Sequence, residues 1–268
     1  MTITFLFVAL FLLDLFTCCH AYTQYPLPDI EDAKFIQDCV RAHNKFRSQV
    51  NPSASNMFRM SWDAALAKTA KAWAKKCKFK HNIYLKVQGK VHPTFTPVGE
   101  NIWTGTATIF SVDAALSDWF NEVNSYDFNT RSCRDICGHY TQVVWAESYK
   151  VGCAVHFCNT VENFPGLSKA AHFVCNYGPA GNYPSKPYKA GQPCSGCSNE
   201  KCVDKLCDWD TQPQTPGPRP PMPPAEHPRP ACDQYCLSVS ILRPLFLVLS
   251  IGAAFLVQQR YPHIFFYE

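Results

Sequence analysis

Apolar and polar positions in the first half of the chain repeat with the period of helices. Between about Glu31 and Ser48, Phe35, Ile36, Cys39, Val40, His43 and Phe46 fall on one face. From about Asp63 to Cys77, the residues Trp62, Leu66, Ala70, Trp73 and Cys77 recur at spacings of four, four, three and four. A third stripe of Val112, Ala115, Leu116, Trp119 and Val123 runs through residues 111–128. Each stripe marks the side of a helix that packs on a core. Farther on the period changes. QVVW at 142–145, VGCAVHF at 151–157 and HFVCNY at 172–177 are rich in valine and aromatic residues, are bounded by turn signals such as Gly178–Pro179, and read as strands. Helices on both faces of such a sheet predict an α+β chain folded as a three-layer α-β-α sandwich.

Four polar residues break this pattern. Glu122 sits on the third helical stripe, three residues after Trp119 and seven after Ala115. An ionised carboxylate left buried and unpaired costs several kcal/mol, so a cation, a donor or a metal should face it. His81, Glu100 and His139, each in unusual local sequence, are the other members of the set. His43 also lies on a buried stripe and reads as a satisfied core histidine; His156 and His172 sit in strand patterns and read as structural. Trp62, Trp73, Trp103, Trp119 and Trp145 read as core or cleft-wall residues.

The two ends set the compartment. Residues 3–16 form an apolar run of signal-peptide length, interrupted by Asp14, and Cys19-His20-Ala21 predicts cleavage after Ala21, so 1–21 is a signal peptide. Thirteen of the fifteen cysteines remain after that cleavage, too many for a reducing compartment without disulfides. Residues 22–190 have globular periodicity; 191–208 hold four cysteines, Cys194, Cys197, Cys202 and Cys207, among few apolar residues and form a small cysteine-rich hinge. The proline-rich stretch 209–236 reads as a stiff stalk, its proline run reaching about 60 Å at about 3.1 Å per residue. Residues 237–257 are long and apolar enough for one membrane span, with Arg243 able to snorkel and Pro244 in the first turn; 258–268 then form a short cytoplasmic tail bearing Arg260. A glycolipid-attachment signal is the competing reading of the same segment. The expected form is a single-pass type I protein of the cell surface, reached through the secretory pathway.

Charge excludes some classes. The net charge of +4 is spread along the chain, and the lysine run at 71–80 reads as the solvated face of a helix, so no nucleic-acid partner is expected. There is no glycine-rich phosphate loop, no HExxH and no GxSxG. Asn51 is followed by proline, which leaves no usable glycosylation sequon.

The segments CGHYTQVVW (137–145), VGCAV (151–155) and HFVCNYGPAGNY (172–183), preceded in order by AHNKFR (42–47), SWDAALAKTAKAWAKKCKFKH (61–81) and GENIW (99–103), resemble the signature set of the CAP superfamily: cysteine-rich secretory proteins, antigen 5 and pathogenesis-related 1 proteins. The resemblance covers roughly residues 33–190 and implies the same three-layer fold. It also implies the disulfides Cys77–Cys158, Cys153–Cys175, Cys133–Cys137, Cys194–Cys202 and Cys197–Cys207. Cys232 and Cys236 can then join each other, leaving Cys39 as a buried free thiol. A zinc knuckle is the alternative for the hinge cysteines.

By the same resemblance, His81 and His139 are metal ligands, with Glu100 and Glu122 as ligands or orienting groups, for zinc or another divalent cation. A metal-free hydrogen-bonded network is the plainer reading of the quartet. No nucleophile accompanies it, so no catalytic residue is assigned. The function expected is a non-enzymatic extracellular binding module that engages a protein, sterol or lipid. A zinc-dependent hydrolase built on the quartet is the alternative. An ion-channel regulator is disfavoured, because proline-rich sequence follows the hinge where the venom members carry a further cysteine-rich domain.

Overall fold

The structure is a computed structural model describing residues 27–209, together with 251–253, 255–257 and 259–260. The expected signal peptide, the stalk beyond Trp209, Cys232, Cys236 and most of the expected span and tail lie outside the described residues. Tyr25–Pro213 is a compact unit of its own. Its hydrophobic core is closed by its own elements and five disulfides lie inside it, so this unit is expected to fold in isolation.

Helix α1 (Ala33–Arg47) begins at Asp32, whose carboxylate accepts from the backbone N–H of Lys34 and Phe35. It buries Phe35, Cys39, His43 and Phe46 of the expected stripe, with Ala42 beside them, while Ile36 and Val40 are half-buried. Strand β1 (Ser61–Trp62) precedes α2 (Ala64–Ala74), which Asp63 caps through the N–H of Leu66. That helix stops short of Cys77, whose positive φ of 51° takes it out of the helical path and into a disulfide. Strand β2 (Gly99–Thr106) leads through a 3₁₀ turn to α3 (Val112–Asn121), which tightens into a second 3₁₀ turn at Glu122–Ser125. Helix α4 (Gly138–Val143), strands β3 (Lys150–Thr160) and β4 (Ser168–Gly178), and the small hairpin β5 (Lys201–Val203) and β6 (Leu206–Asp208) complete the fold.

The main sheet has the order β1-β3-β4-β2, with β1 parallel to β3 and the other pairs antiparallel. Strand parity divides it between two helical layers. On β4, Phe173, Cys175 and Tyr177 enter the large core with α1 and α3, while Val174 packs with Ala70 and Ala74 of α2 on the other face. The hairpin closes one end: Leu206 is buried in the large core, and Cys207 exchanges backbone hydrogen bonds with Met57 and Arg59.

All five disulfides implied by the resemblance are present. Cys153 and Cys175 face each other in register across β3 and β4, whereas Cys158, five residues on, points to the opposite face and meets Cys77. Cys39 is buried and free, and burial pushes its thiol well above the usual range. The hinge cysteines are paired as disulfides, which overturns the zinc-knuckle alternative: no thiolate is left to ligate.

Two element readings are corrected. QVVW is not a strand; Gln142 and Val143 end α4, and Val144 and Trp145 form the turn after it. Glu122 and Val123 do not continue the third helix, which ends at Asn121; they open the 3₁₀ turn that follows, where the Glu122 carboxylate is held by a tertiary contact.

Arg47 was invisible to the polarity pattern and holds this layer together. It is fully buried, and the five N–H groups of its guanidinium donate to the carbonyls of Phe58, Val143, Trp145, Ala146 and Ser148, with N···O distances of 2.6–3.1 Å.

Candidate metal centre

The four expected residues form two histidine–glutamate pairs. His81, in the loop after α2, donates from Nδ1 to Glu100 Oε1 at 2.9 Å. Glu100 lies at the start of β2, and its Oε1 also accepts from the backbone N–H of Asn82 at 2.9 Å. The Glu100 side chain is fully buried, while that of His81 is 63% exposed. His139, in the first turn of α4, donates from Nδ1 to Glu122 Oε1 at 2.6 Å. The other oxygen of Glu122 accepts from the backbone N–H of His139 and Tyr140, at 2.9 and 3.1 Å. Glu122 therefore does two things: it orients an imidazole and it satisfies two of the unpaired donors at the start of α4.

The pairs approach from the two faces of β2, an edge strand. Glu100 points to the face carrying Ile102 and α2; Asn101, the next residue, points to the other and donates from Nδ2 to the backbone carbonyl of His139 at 3.0 Å. Asn101 also reaches the Tyr177 hydroxyl at 3.3 Å. Trp119 stacks on the His139 ring, with centroids 6.0 Å apart and planes 10° apart, and forms the wall behind it. Sequence reading identified Trp119 as a wall but missed Asn101; a buried asparagine inside GEN was the signal for it.

Using Nδ1 for a carboxylate leaves Nε2 of His81 and of His139 without a protein partner among the described residues, which is the arrangement of imidazoles that ligate through Nε2. The hydrogen bond to Glu100 raises the pKa of His81 above its ordinary value, outweighing the opposing effect of burial. Glu100 Oε2 is buried and has no hydrogen-bond partner among the described residues. The four side chains do not converge as a group of three ligand atoms within 4.8 Å. Among the described residues only His43, Cys153 and Cys175 do so. That group offers no thiolate, since Cys153 and Cys175 form a disulfide, and both nitrogens of His43 are engaged, donating to the Cys39 carbonyl at 2.7 Å and accepting from the Tyr177 hydroxyl at 2.9 Å. His43 is the satisfied core histidine expected from its stripe.

His172 is buried with Nδ1 at 2.6 Å from the Thr104 hydroxyl, and lies directly across from His156. Burial lowers the pKa of both, to about 4 for His172. An open depression lined by Tyr126, Gly138, Thr141, Trp145 and Tyr183 lies beside His139 and includes none of the four site residues.

A family model described as "CAP: Cysteine-rich secretory protein family" matches residues 40–177. Glioma pathogenesis-related protein 1 of Mus musculus is 53% identical over 188 residues, covering 70% of this chain and 69% of that protein. GLIPR1-like protein 1 of Bos taurus is 54% identical over 181 residues, covering 67% of this chain and 73% of that protein. Among solved structures, "Crystal structure of NaASP2 with Zn2+" superposes with a TM-score of 0.51 at 30% identity, covering 66% of this chain and 96% of that one. The motifs, the three-layer fold, the disulfide set and these matches agree: the chain belongs to the cysteine-rich secretory protein (CAP) family.

Proposed function

We propose that this protein is a membrane-tethered extracellular binding module whose His/Glu cleft holds a divalent cation such as zinc and whose surroundings engage a protein, sterol or lipid partner. The observation that carries the metal reading is the pairing itself: each histidine is fixed through Nδ1 by a glutamate, with Nε2 left open. The residues fit such an ion. Two imidazoles suit a borderline metal, and the buried, half-satisfied Glu100 carboxylate stands next to one of them. His81 and His139 would hold the ion, and Glu100 and Glu122 would set the tautomer and ring orientation of each. When bound, the ion supplies a Lewis-acidic point for an anionic or carbonyl group of a partner. The solved relative described as NaASP2 with Zn2+ supports this choice of metal.

A binding role is favoured over hydrolysis. Each carboxylate orients an imidazole through Nδ1, the role of a ligand-positioning group, and the sequence carries neither HExxH nor GxSxG. Tethering is supported by the helical residues 251–253 and 255–257, where Ile251, Phe255, Leu256 and Val257 are all exposed. Among the described residues no helix is long and apolar enough to cross a membrane.

Calorimetric titration of the 22–213 domain with zinc tests the metal reading. One equivalent should bind to the wild type, and His81→Ala/His139→Ala should remove that binding while thermal unfolding of the disulfide-stapled domain stays close to wild type. Equal affinity in the two proteins would sink the assignment.

A further inference from the structure

Residues 75–90 carry six lysines and no acidic residue. Only Lys78 is paired, with Glu162; Lys75, Lys76, Lys80, Lys86 and Lys90 are exposed and form no ion pair among the described residues. Within the same stretch Ile83, Tyr84 and Val87 are 66%, 49% and 43% exposed. A single exposed apolar side chain needs no explanation, but three within five residues, interleaved with unpaired lysines, do.

Fraying does not account for this exposure. Leu85, in the middle of the stretch, packs inward with Leu66, Val91 and Val98. The loop is a chain of turns: Tyr84 N–H donates to Asn82 Oδ1 at 3.0 Å, Val87 N–H to the Tyr84 carbonyl at 3.0 Å, and Lys90 N–H to the Val87 carbonyl at 3.2 Å. Val98 N–H closes it onto the Leu85 carbonyl at 3.0 Å. The apolar tips are thus presented on an ordered scaffold whose hydrophobic anchor points the other way.

We propose that the loop 80–90 docks the domain onto an anionic lipid surface. Ile83, Tyr84 and Val87 enter the boundary between headgroups and acyl chains, and Lys80, Lys86 and Lys90 lie against the lipid anions. Charge complementarity alone would equally suit an acidic polysaccharide or an acidic protein. The apolar side chains decide between them, because a polyanion would neutralise the lysines and leave those three in water, whereas a bilayer interface accepts both classes at once. Tyrosine in particular suits that interface, with an apolar ring and a polar tip.

The test is co-sedimentation of the oxidised 22–213 domain with phosphatidylcholine vesicles, with and without one-third phosphatidylserine, in the presence of chelator so that the metal site plays no part. Binding is expected only to the anionic vesicles and should weaken with added salt. Ile83→Ser/Val87→Ser should lower the apparent affinity at least about ten-fold, and Lys86→Gln/Lys90→Gln about five-fold per lysine. These side chains are exposed, so unchanged thermal unfolding serves as the folding control, and Tyr84→Trp should blue-shift its fluorescence on anionic vesicles. Three outcomes would overturn the proposal: no binding to anionic vesicles, equal binding to neutral ones, or full retention of binding by Ile83→Ser/Val87→Ser. The last, together with loss in the lysine variant, would mark the loop as a site for soluble polyanions.

Discussion

Arg47 and the buried histidines show how much of this fold rests on single polar side chains placed where apolar ones would be expected. Arg47 supplies donors to five carbonyls from the segments around Phe58 and Val143–Ser148; removing it takes the guanidinium from the Phe58, Val143 and Ser148 carbonyls, while those of Trp145 and Ala146 keep the backbone N–H of Ser148 and Phe58. Arg47→Met should therefore destabilise the domain by at least about 3 kcal/mol, measured by urea unfolding with the disulfides intact. A loss below about 1 kcal/mol would mean that water or relaxation replaces the donors. His43 and His172 govern acid stability. Burial lowers both to about 4 from an ordinary value of 6.5. The unfolded chain then takes up their protons between pH 6.5 and 4 while the native state does not, so stability is fully present above pH 6.5 and falls as pH drops toward 4. Each can remove up to about 3 kcal/mol. Unfolding free energies at pH 7.5 and 4.5 should differ by several kcal/mol; equal values would contradict the burial argument.

At the level of elements, what the sequence showed was what repeats. Stripes on α1 and α2 and the valine-rich alternation of β3 and β4 were readable because each buried position recurs with its element's period. Readings failed where a tertiary contact overrode local preference. Val143 and Val144 favour extended backbone, yet α4 forms because the Glu122 carboxylate satisfies its first N–H groups, a partner seventeen and eighteen residues away. The site was legible in part. The four residues could be named from their motifs, but their division into two pairs and the bridging role of Asn101 depend on how β2, α3 and α4 meet. Gly152 carries no signal in sequence, yet a Cβ there would lie 2.1 Å from the Ala67 nitrogen and 2.6 Å from the Asp63 carbonyl oxygen. Strand β3 and helix α2 touch through that missing methyl. Gly152→Ala should cost about 1–3 kcal/mol by forcing the two apart, read as a lowered urea midpoint at constant slope.

For the whole molecule, five disulfides in one unit fit an oxidising compartment and leave the domain suited to work outside the cell. If residues 237–257 anchor it, the full-length chain should stay with membranes through an alkaline carbonate wash, and Arg243→Leu should strengthen that retention. An epitope after Glu268 should be seen only after permeabilisation; recovery of the intact tagged chain in the medium would refute anchoring. The central assignment, a metal held between two glutamate-oriented histidines, meets its most direct test in crystals of the 22–213 domain grown with zinc. An anomalous difference peak at the zinc edge, within bonding distance of Nε2 of both His81 and His139, is the expected result. Clear density for both imidazoles with no peak between them, or a zinc peak held by other side chains, would contradict it.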